Sequence, residues 1–394
     1  MTFVKKAFVC ALSVATVTTA ALAGCSSATS GTATSGTSSN VAAPPPAAVP
    51  SDLNVGTYPT TPRVIPPNSS DGAWVEEGNR MGEALIQGNE VDPRMVIGGA
   101  ALRSFPVLSG IELSNRVPDG TATVFEANDM QVGMTTTRGD KLTDPTVAVR
   151  IGLYRFKTDA AATSAVSAIR AATAARQQVT VPGTPGVVAS VFKPGTVDSY
   201  LAQGPIVINV SGTGPTDAEA TGFVSKAFSL EVPKLKTFTP TPVADVPKLP
   251  SDSDGILART LPLSNPTDGG VPELMTGYYG LAGLLHRIPT LATAGKYEQA
   301  GVDLVGQADG VVYRTRDAAA ATTLLTAMYS APGDIHAASA PDVPAMKCVR
   351  DAVGSSVRCG VTVGRYVADL TGDSLDVAQQ KASAEFAILT KAGS

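Results

Sequence analysis

The chain has 394 residues, 43% of them hydrophobic and 16% charged, a globular profile with length for two cores at roughly 150 residues per domain. Its net charge is −4, which becomes −6 when Lys5 and Lys6 leave with the leader described below, and no basic run exceeds two residues. Nucleic acid needs a cationic footprint, so this acidic chain is not read as a nucleic-acid-binding protein.

Lys5 and Lys6 form a basic start, and Ala7 to Ala21 an apolar run too short and too rich in threonine to span a membrane stably. Leu22-Ala23-Gly24-Cys25 then matches every position of a bacterial lipobox. Residues 1–24 are therefore predicted to be a lipoprotein signal peptide, with Cys25 acylated by two or three chains such as palmitate. Two buried chains hold a protein to a membrane where one does not. The predicted location is the extracytoplasmic face of the cell membrane, with the membrane itself as the partner of Cys25. Ser26 to Pro50 carries no charge and is almost wholly Ser, Thr, Gly, Ala and Pro. Such a segment cannot offset its ordering entropy by burial, so residues 25–50 are expected to be a disordered tether. No later stretch reaches the ~18 apolar residues of a membrane span.

The folded body opens at Asp52 to Arg63, where Pro59 and Pro62 force extended backbone and predict a strand or covering strap. Ser70 or Asp71 can cap a helix running to about Gln87, with Trp74, Met81 and Leu85 on one face, and Glu90-Val91-Asp92-Pro93-Arg94 ends it. Between Val107 and Thr137, alternating runs such as Thr121-Ala122-Thr123-Val124-Phe125 predict strands, separated by Pro118-Asp119-Gly120 and other turn signals.

Three stretches carry a resemblance: Gly56-Thr57-Tyr58-Pro59-Thr60-Thr61-Pro62-Arg63, Glu90 to Arg94, and Gly364-Arg365-Tyr366-Val367-Ala368. They are similar to an uncharacterised lipoprotein family of mycolic-acid-bearing actinobacteria. The similarity spans most of the mature chain. It implies a cell-envelope lipoprotein of unknown function and supplies no catalytic residues.

An internal repeat follows. Tyr154-Arg155-Phe156-Lys157-Thr158-Asp159 returns as Tyr313-Arg314-Thr315-Arg316-Asp317-Ala318, and Ala162, Val166 and Ile169 correspond to Ala321, Leu325 and Met328. Both triplets have the spacing of one helical face. Gly204 to Gly212 likewise matches Gly364 to Gly372, each after a hairpin and before a helix. The predicted fold is α+β: two tandem related modules, each strand-helix-strand-strand-helix and ferredoxin-like. The N-terminal domain is placed at 51–232, a Pro-rich linker at 233–262 and the C-terminal domain at 263–394. A helix from about Pro272 to His286 is expected to open the second half.

Of four cysteines, Cys10 leaves with the leader and Cys25 is blocked, so Cys348 and Cys359 remain for a disulfide in an oxidising compartment. In a hairpin turning between Val353 and Gly354 the two lie directly opposite, within disulfide range. Closing so short a loop contributes somewhat under ~3 kcal/mol. The equivalent first-half positions, Val188 and Ser199, carry no bridge.

Chemistry is sparse. His286 ends a predicted helix, where a cation favours the dipole, and His336 falls in a Pro/Gly/Ala loop. Ser190 and Lys193 have Ser-x-x-Lys spacing but run off a strand rather than starting a helix. Asp252-Ser253-Asp254-Gly255 is a calcium-loop fragment without its closing glutamate. Gly212 to Asp217 enters a helix, where Asp217 itself takes the position an anion would need, so it reads as a cap. Asp129, Asp140 and Asp144 are the carboxylates weighed for a cluster. No metal site and no cofactor are expected. The reading is a non-enzymatic, membrane-anchored envelope lipoprotein binding an unknown ligand or partner through its paired modules. The alternatives are an envelope hydrolase using carboxylates or Ser190, and a structural protein of the envelope.

Overall fold

The computed structural model describes residues 49–99, 104–114, 117–118, 120–263, 275–331, 333–350 and 356–393. The leader, Cys25 and the tether to residue 48 lie outside them, as does Asp119. Residues 46–394 form one unit built on two seven-stranded sheets.

Ser69 caps helix α1 (Ser70–Ala84), its Oγ accepting from Gly72 N, one residue before the expected Ser70. Met81 and Leu85 are buried and Trp74 half-buried, as their spacing indicated. A separate turn, α2 (Gly88–Val91), follows, and Glu90 begins it rather than only ending α1: its carboxylate accepts from Gln87 N. Two short pieces, β1 (Ile97–Gly98) and β2 (Pro106–Val107), pair with a later strand.

The expected strand at 121–125 is instead helix α3 (Thr121–Ala127). Gly120, at φ 84°, turns the chain into it, and Ala122 and Phe125, three apart, face inward. Phe125 meets Tyr154 tilted and Phe156 and Tyr200 edge-on, with ring centroids 4.8, 5.3 and 6.2 Å apart. Burying that ring outweighs the strand preference of the threonines and valine around it.

The first module continues as β3 (Met130–Gly139), β4 (Ala148–Phe156), α4 (Asp159–Ala172), β5 (Val188–Lys193), β6 (Thr196–Gln203), β7 (Ile206–Thr213) and α5 (Asp217–Leu235). Its sheet runs β1-β3-β4-β7-β6-β5, with β2 also on β3. The second comprises β8 (Gly277–Tyr279), α6 (Leu281–Arg287), α7 (Gly295–Gln299), β9 (Leu304–Gln307), β10 (Gly310–Arg314), α8 (Ala318–Met328), β11 (Ile335–Ala337), β12 (Lys347–Arg350), β13 (Val357–Val363), β14 (Tyr366–Gly372) and α9 (Leu375–Ala392). Its sheet runs β11-β12-β13-β14-β10-β9-β8. The helix expected from Pro272 is not continuous. Residues 277–279 are a strand paired with β9, and Gly280 starts α6 only at Leu281.

The duplication extends to the register. Strand order β3-β4-β7-β6-β5 is repeated as β9-β10-β14-β13-β12. Tyr154 faces Val207 as Tyr313 faces Val367. Thr158 and Asp317, equivalent in sequence, cap α4 and α8. Gly204 and Gly364 take the left-handed conformation of the same hairpin turn, at φ 57° and 53°. The module differs from the expected order in two ways. A three-stranded meander, not a pair, precedes the closing helix. The helices also cover opposite faces: Ile151, Ile208 and Val210 pack with Val224 and Phe228 of α5, whereas Tyr154 and Val207 join Ala162 and Ile169 of α4. A ferredoxin-like split βαβ arrangement is therefore not what this sheet forms.

Gly212 and Gly372 are a second equivalent pair, and space explains both. A Cβ on Gly212 would sit 2.6 Å from the Ala220 carbonyl oxygen, and one on Gly372 2.5 Å from Ala378 N. The closing helix rests directly on each glycine. Gly372→Ala is expected to lower stability by about 1–3 kcal/mol. Gly222→Ala, on the open face of α5 with nothing nearby, is expected to raise it by up to ~1 kcal/mol. Urea melts of the two variants check this, and equal midpoints would contradict it.

Cys348 and Cys359 are opposed in the β12–β13 pair, with Cα atoms 4.2 Å apart, and are bonded; residues 351–355 of the turn lie outside the described ones. Ser199 and Cys359 are equivalent by their partners Val210 and Leu370. Ser199 faces Ala189, one residue beyond the expected Val188.

Two segments tie the halves together. The opening segment is a strap without helix or strand, and Leu53, Val55, Tyr58 and Ile65 pack onto the second module's core, the cluster that includes Tyr366, Ala382 and Phe386. The Pro-rich linker crosses α1, and its far end is core rather than surface: Ile256, Leu257 and Leu261 are buried in the second module. No helix among the described residues is long and apolar enough to cross a membrane.

Candidate functional site

Helix α1 lies where the modules meet, and its charges do the joining. Glu77, fully buried, accepts from Thr241 N at 3.0 Å and Thr241 Oγ1 at 2.8 Å, and from the guanidinium groups of Arg155 and Arg80. Arg155 lies over the Trp74 ring. These contacts bind α1 to β4 and to the linker.

On its other side α1 holds α6. Glu83 accepts from Gly280 N and Gly283 N at 2.8 and 3.0 Å, satisfying two of the free amides at the start of α6. Arg138 of β3, fully buried, donates to the carbonyls of Leu285 and Ile288 at its end. Both termini of a second-module helix are thus capped by first-module side chains. Arg287 donates to Asn79 Oδ1 at 2.7 Å, and Gln87 Nε2 contacts His286 Nε2 at 3.2 Å. His286 is buried, and burial beside Lys234, Arg287 and Arg138 pushes its pKa down to about 3. It is a neutral core histidine, so the cation at that helix end is Arg138 and not His286.

Beside this joint is a cavity of about 490 Å³, within the size range of small-molecule sites. The strap contributes Arg63 and Ile65, the start of α1 Asp71, Val75 and Glu76, the first module Leu108 and Glu112, and the second module's approach Leu257 and Gly277. Glu76 is 4% exposed, and its Oε2 is buried without a hydrogen-bond partner among the described residues. Burial raises its pKa to about 8, against the opposing pull of the Asn79 side chain, Arg287 and the Tyr278 backbone. Gly277 permits this packing: a Cβ there would lie 2.6 Å from Asn79 Nδ2 and 3.0 Å from Glu76 Oε1.

The residues singled out from sequence lie elsewhere. Cys25 falls outside the described residues. The Cys348–Cys359 bridge fastens two strands near one end of the second sheet. Asp129 precedes β3 and Asp140 follows it, so the three aspartates do not converge. Asp140 instead shapes its loop by accepting from Thr146 N and Val147 N, and Asp144 is a left-handed turn residue at φ 47°. Ser190 is buried within β5 and Lys193 exposed at its end. His336 is exposed in the short strand β11 rather than in a loop. Thr216 caps α5, and Asp217 accepts from Gly195 N. Asp252 folds its own turn, accepting from Leu257 N and Ala258 N. No group of three or more His, Cys, Asp or Glu able to hold a metal occurs among the described residues.

Glu76 and its neighbours escaped notice because acidic side chains are ordinarily solvated. A signal was nevertheless present. Glu76, Glu77, Asn79, Arg80 and Glu83 leave α1 no clean apolar stripe, the pattern of a helix that bridges domains.

Two family models match the chain. The N-terminal model of the domain of unknown function DUF7373 covers residues 65–251, and its C-terminal model residues 256–392. The interval between them is the Asp252 turn beside the cavity. No curated protein matches. Among solved structures, the crystal structure of the extracellular domain of PknH from Mycobacterium tuberculosis is similar at 12% identity, over 43% of this chain and 100% of that one, with a TM-score of 0.28.

Proposed function

We propose that this protein, which belongs to the DUF7373 family, is a non-enzymatic lipoprotein of the actinobacterial cell envelope, anchored through Cys25, that holds a small ligand in the Glu76 cavity. One observation carries the binding reading. Both modules line a cavity of ligand size, and within its wall a buried carboxyl oxygen has no partner among the described residues. Buried oxygens of Glu231 and Glu385 also have no partner among the described residues, and what distinguishes Glu76 is that it lines this cavity. A pocket between modules also favours binding over the flat surfaces of an assembly protein. The anchoring reading rests on the lipobox, the charge-free tether and the resemblance to envelope lipoproteins.

Native mass spectrometry of the delipidated protein is expected to show a retained small molecule. Leu108→Trp, which fills the cavity from a half-buried wall position, is expected to abolish retention without unfolding the chain. Equal retention in that variant would place the ligand elsewhere. For the anchor, Cys25→Ala is expected to move the protein out of the membrane fraction, and persistence there would refute that part.

A further inference from the structure

We propose that the cavity's ligand is an amphiphile whose protonated amine docks on Glu76 Oε2 and whose apolar body lies along Ile65, Val75, Leu108 and Leu257; this rests on the cavity being the binding site. Charge supports the head group. Asp71, Glu76 and Glu112 line the cavity, and Asp252 acts on Glu76 from the linker turn. The lining cation Arg63 is committed, its Nε donating to Leu257 O and its Nη2 to Thr260 Oγ1, each at 3.3 Å. Among the charged groups that line the cavity, three carboxyls face this one guanidinium. Asn79 and the Tyr278 backbone already engage the Glu76 carboxyl, and its Oε2 has no partner among the described residues. An ammonium supplies both the donor and the compensating charge. The apolar body has its own support in the lining side chains Ile65, Val75, Leu108 and Leu257.

The pH dependence follows from the groups facing Glu76. These are Asp71 and Asn79 on its own helix, Arg287 of α6, the Tyr278 backbone of β8, Asp252 of the linker, Arg63 of the strap, and Glu112 across the cavity. Empty, the site keeps its proton up to about pH 8. A docked ammonium replaces that proton, which passes to solvent. Binding therefore strengthens from pH 6 to pH 9, by roughly a hundredfold if the bound carboxyl stays ionised throughout.

The test is calorimetry of octylammonium, octanol and octanoate with the full chain carrying Cys25→Ala, at pH 6 and 9. Octylammonium is expected to bind with that pH dependence, releasing close to one proton at pH 6, and octanoate not to bind. Glu76→Gln is expected to remove the proton release and the pH dependence. Should that variant not fold, Asp71→Asn and Glu112→Gln on the exposed side are each expected to weaken octylammonium about two- to fivefold. Octanol or octanoate binding more tightly, with loss in Leu108→Trp, would overturn the amine assignment and leave the cavity reading intact. A retained native molecule with no octylammonium binding would do the same. No binding and no retained molecule would overturn both.

Discussion

Arg155→Ala is expected to cost about 3 kcal/mol of unfolding free energy, the low end of the range for breaking one side of a buried ion pair, because Arg80 still pairs with Glu77. Arg155 is 3% exposed and Glu77 fully buried, so the carboxylate loses one of its two guanidinium partners where no water can replace it, keeping Arg80 and Thr241. Trp74 loses the guanidinium over its ring, and the Thr241 carbonyl loses its donor. Glu77→Leu with Arg155→Met is expected to recover part of the loss, because the fully buried charges go together while half-exposed Arg80 and Thr241 N lose their acceptor. The repeat supplies an internal control. Arg314, the sequence equivalent of Arg155, pairs with Asp303 and Asp254, whose side chains are 56% and 67% exposed. Arg314→Ala is expected to cost under ~1 kcal/mol. Chemical denaturation of these variants decides the matter. A loss below ~1 kcal/mol for Arg155→Ala would mean that this pair does not hold α1 to the sheet.

The second large effect is on pH. Stability is expected to fall as pH rises from about 5 to about 8. Glu231 is pushed up to about 7, and Glu76 and Glu385 to about 8, each chiefly by burial. All three keep their protons in the folded chain, whereas the unfolded chain releases them near 4.5. Across that window the unfolded state binds fewer protons, so raising the pH favours it, and the loss levels off above the folded values. His286 works in the opposite sense. With its pKa down at about 3 against 6.5 for an ordinary imidazole, it adds stability as pH rises through that interval. Three carboxyls outweigh one imidazole from about 4.5 upward, so the optimum of these four groups falls just below pH 4.5, with a total loss by pH 8 on the order of several kcal/mol. Glu385, whose Oε2 accepts from Leu261 N, and Glu231, whose Oε2 accepts from Ile86 N, are each buried on a closing helix. Glu385→Gln is expected to remove about a third of the slope. Melting curves at pH 5, 6.5 and 8 measure it, and a flat or rising profile would rule the account out.

The repeat was the most legible part of the fold. Tyr-Arg at a strand end, a capping Thr158 or Asp317, and a face such as Ala162, Val166 and Ile169 are local patterns, and local patterns survive into the structure. The opposed cysteines were legible for the same reason, since strand pairing around a turn is a matter of counting. What failed had a non-local cause. Residues 121–127 alternate like a strand but coil so that Phe125 can reach Tyr154. The strap's prolines announced extended backbone, but nothing in an aperiodic segment says which core it covers. The cavity was least legible of all. Its walls come from four stretches of chain, and its key residue, Glu76, is a glutamate buried where glutamates ordinarily are not.

The strap has one more consequence, for the timing of assembly. Thr60 accepts from Lys391 Nζ at 3.1 Å across 331 positions of chain, and Asn54 meets Gln380 nearby. Closing so long a loop adds only modestly to the entropy already spent, because that cost grows with the logarithm of length. The burden is on sequence in time. In a chain synthesised from its N-terminus, Leu53, Val55 and Tyr58 emerge ahead of both sheets, and their seat is complete only when α9 has been made. Order of synthesis and order of assembly therefore run opposite ways, and the second module finishes its core with a piece made before the first module began.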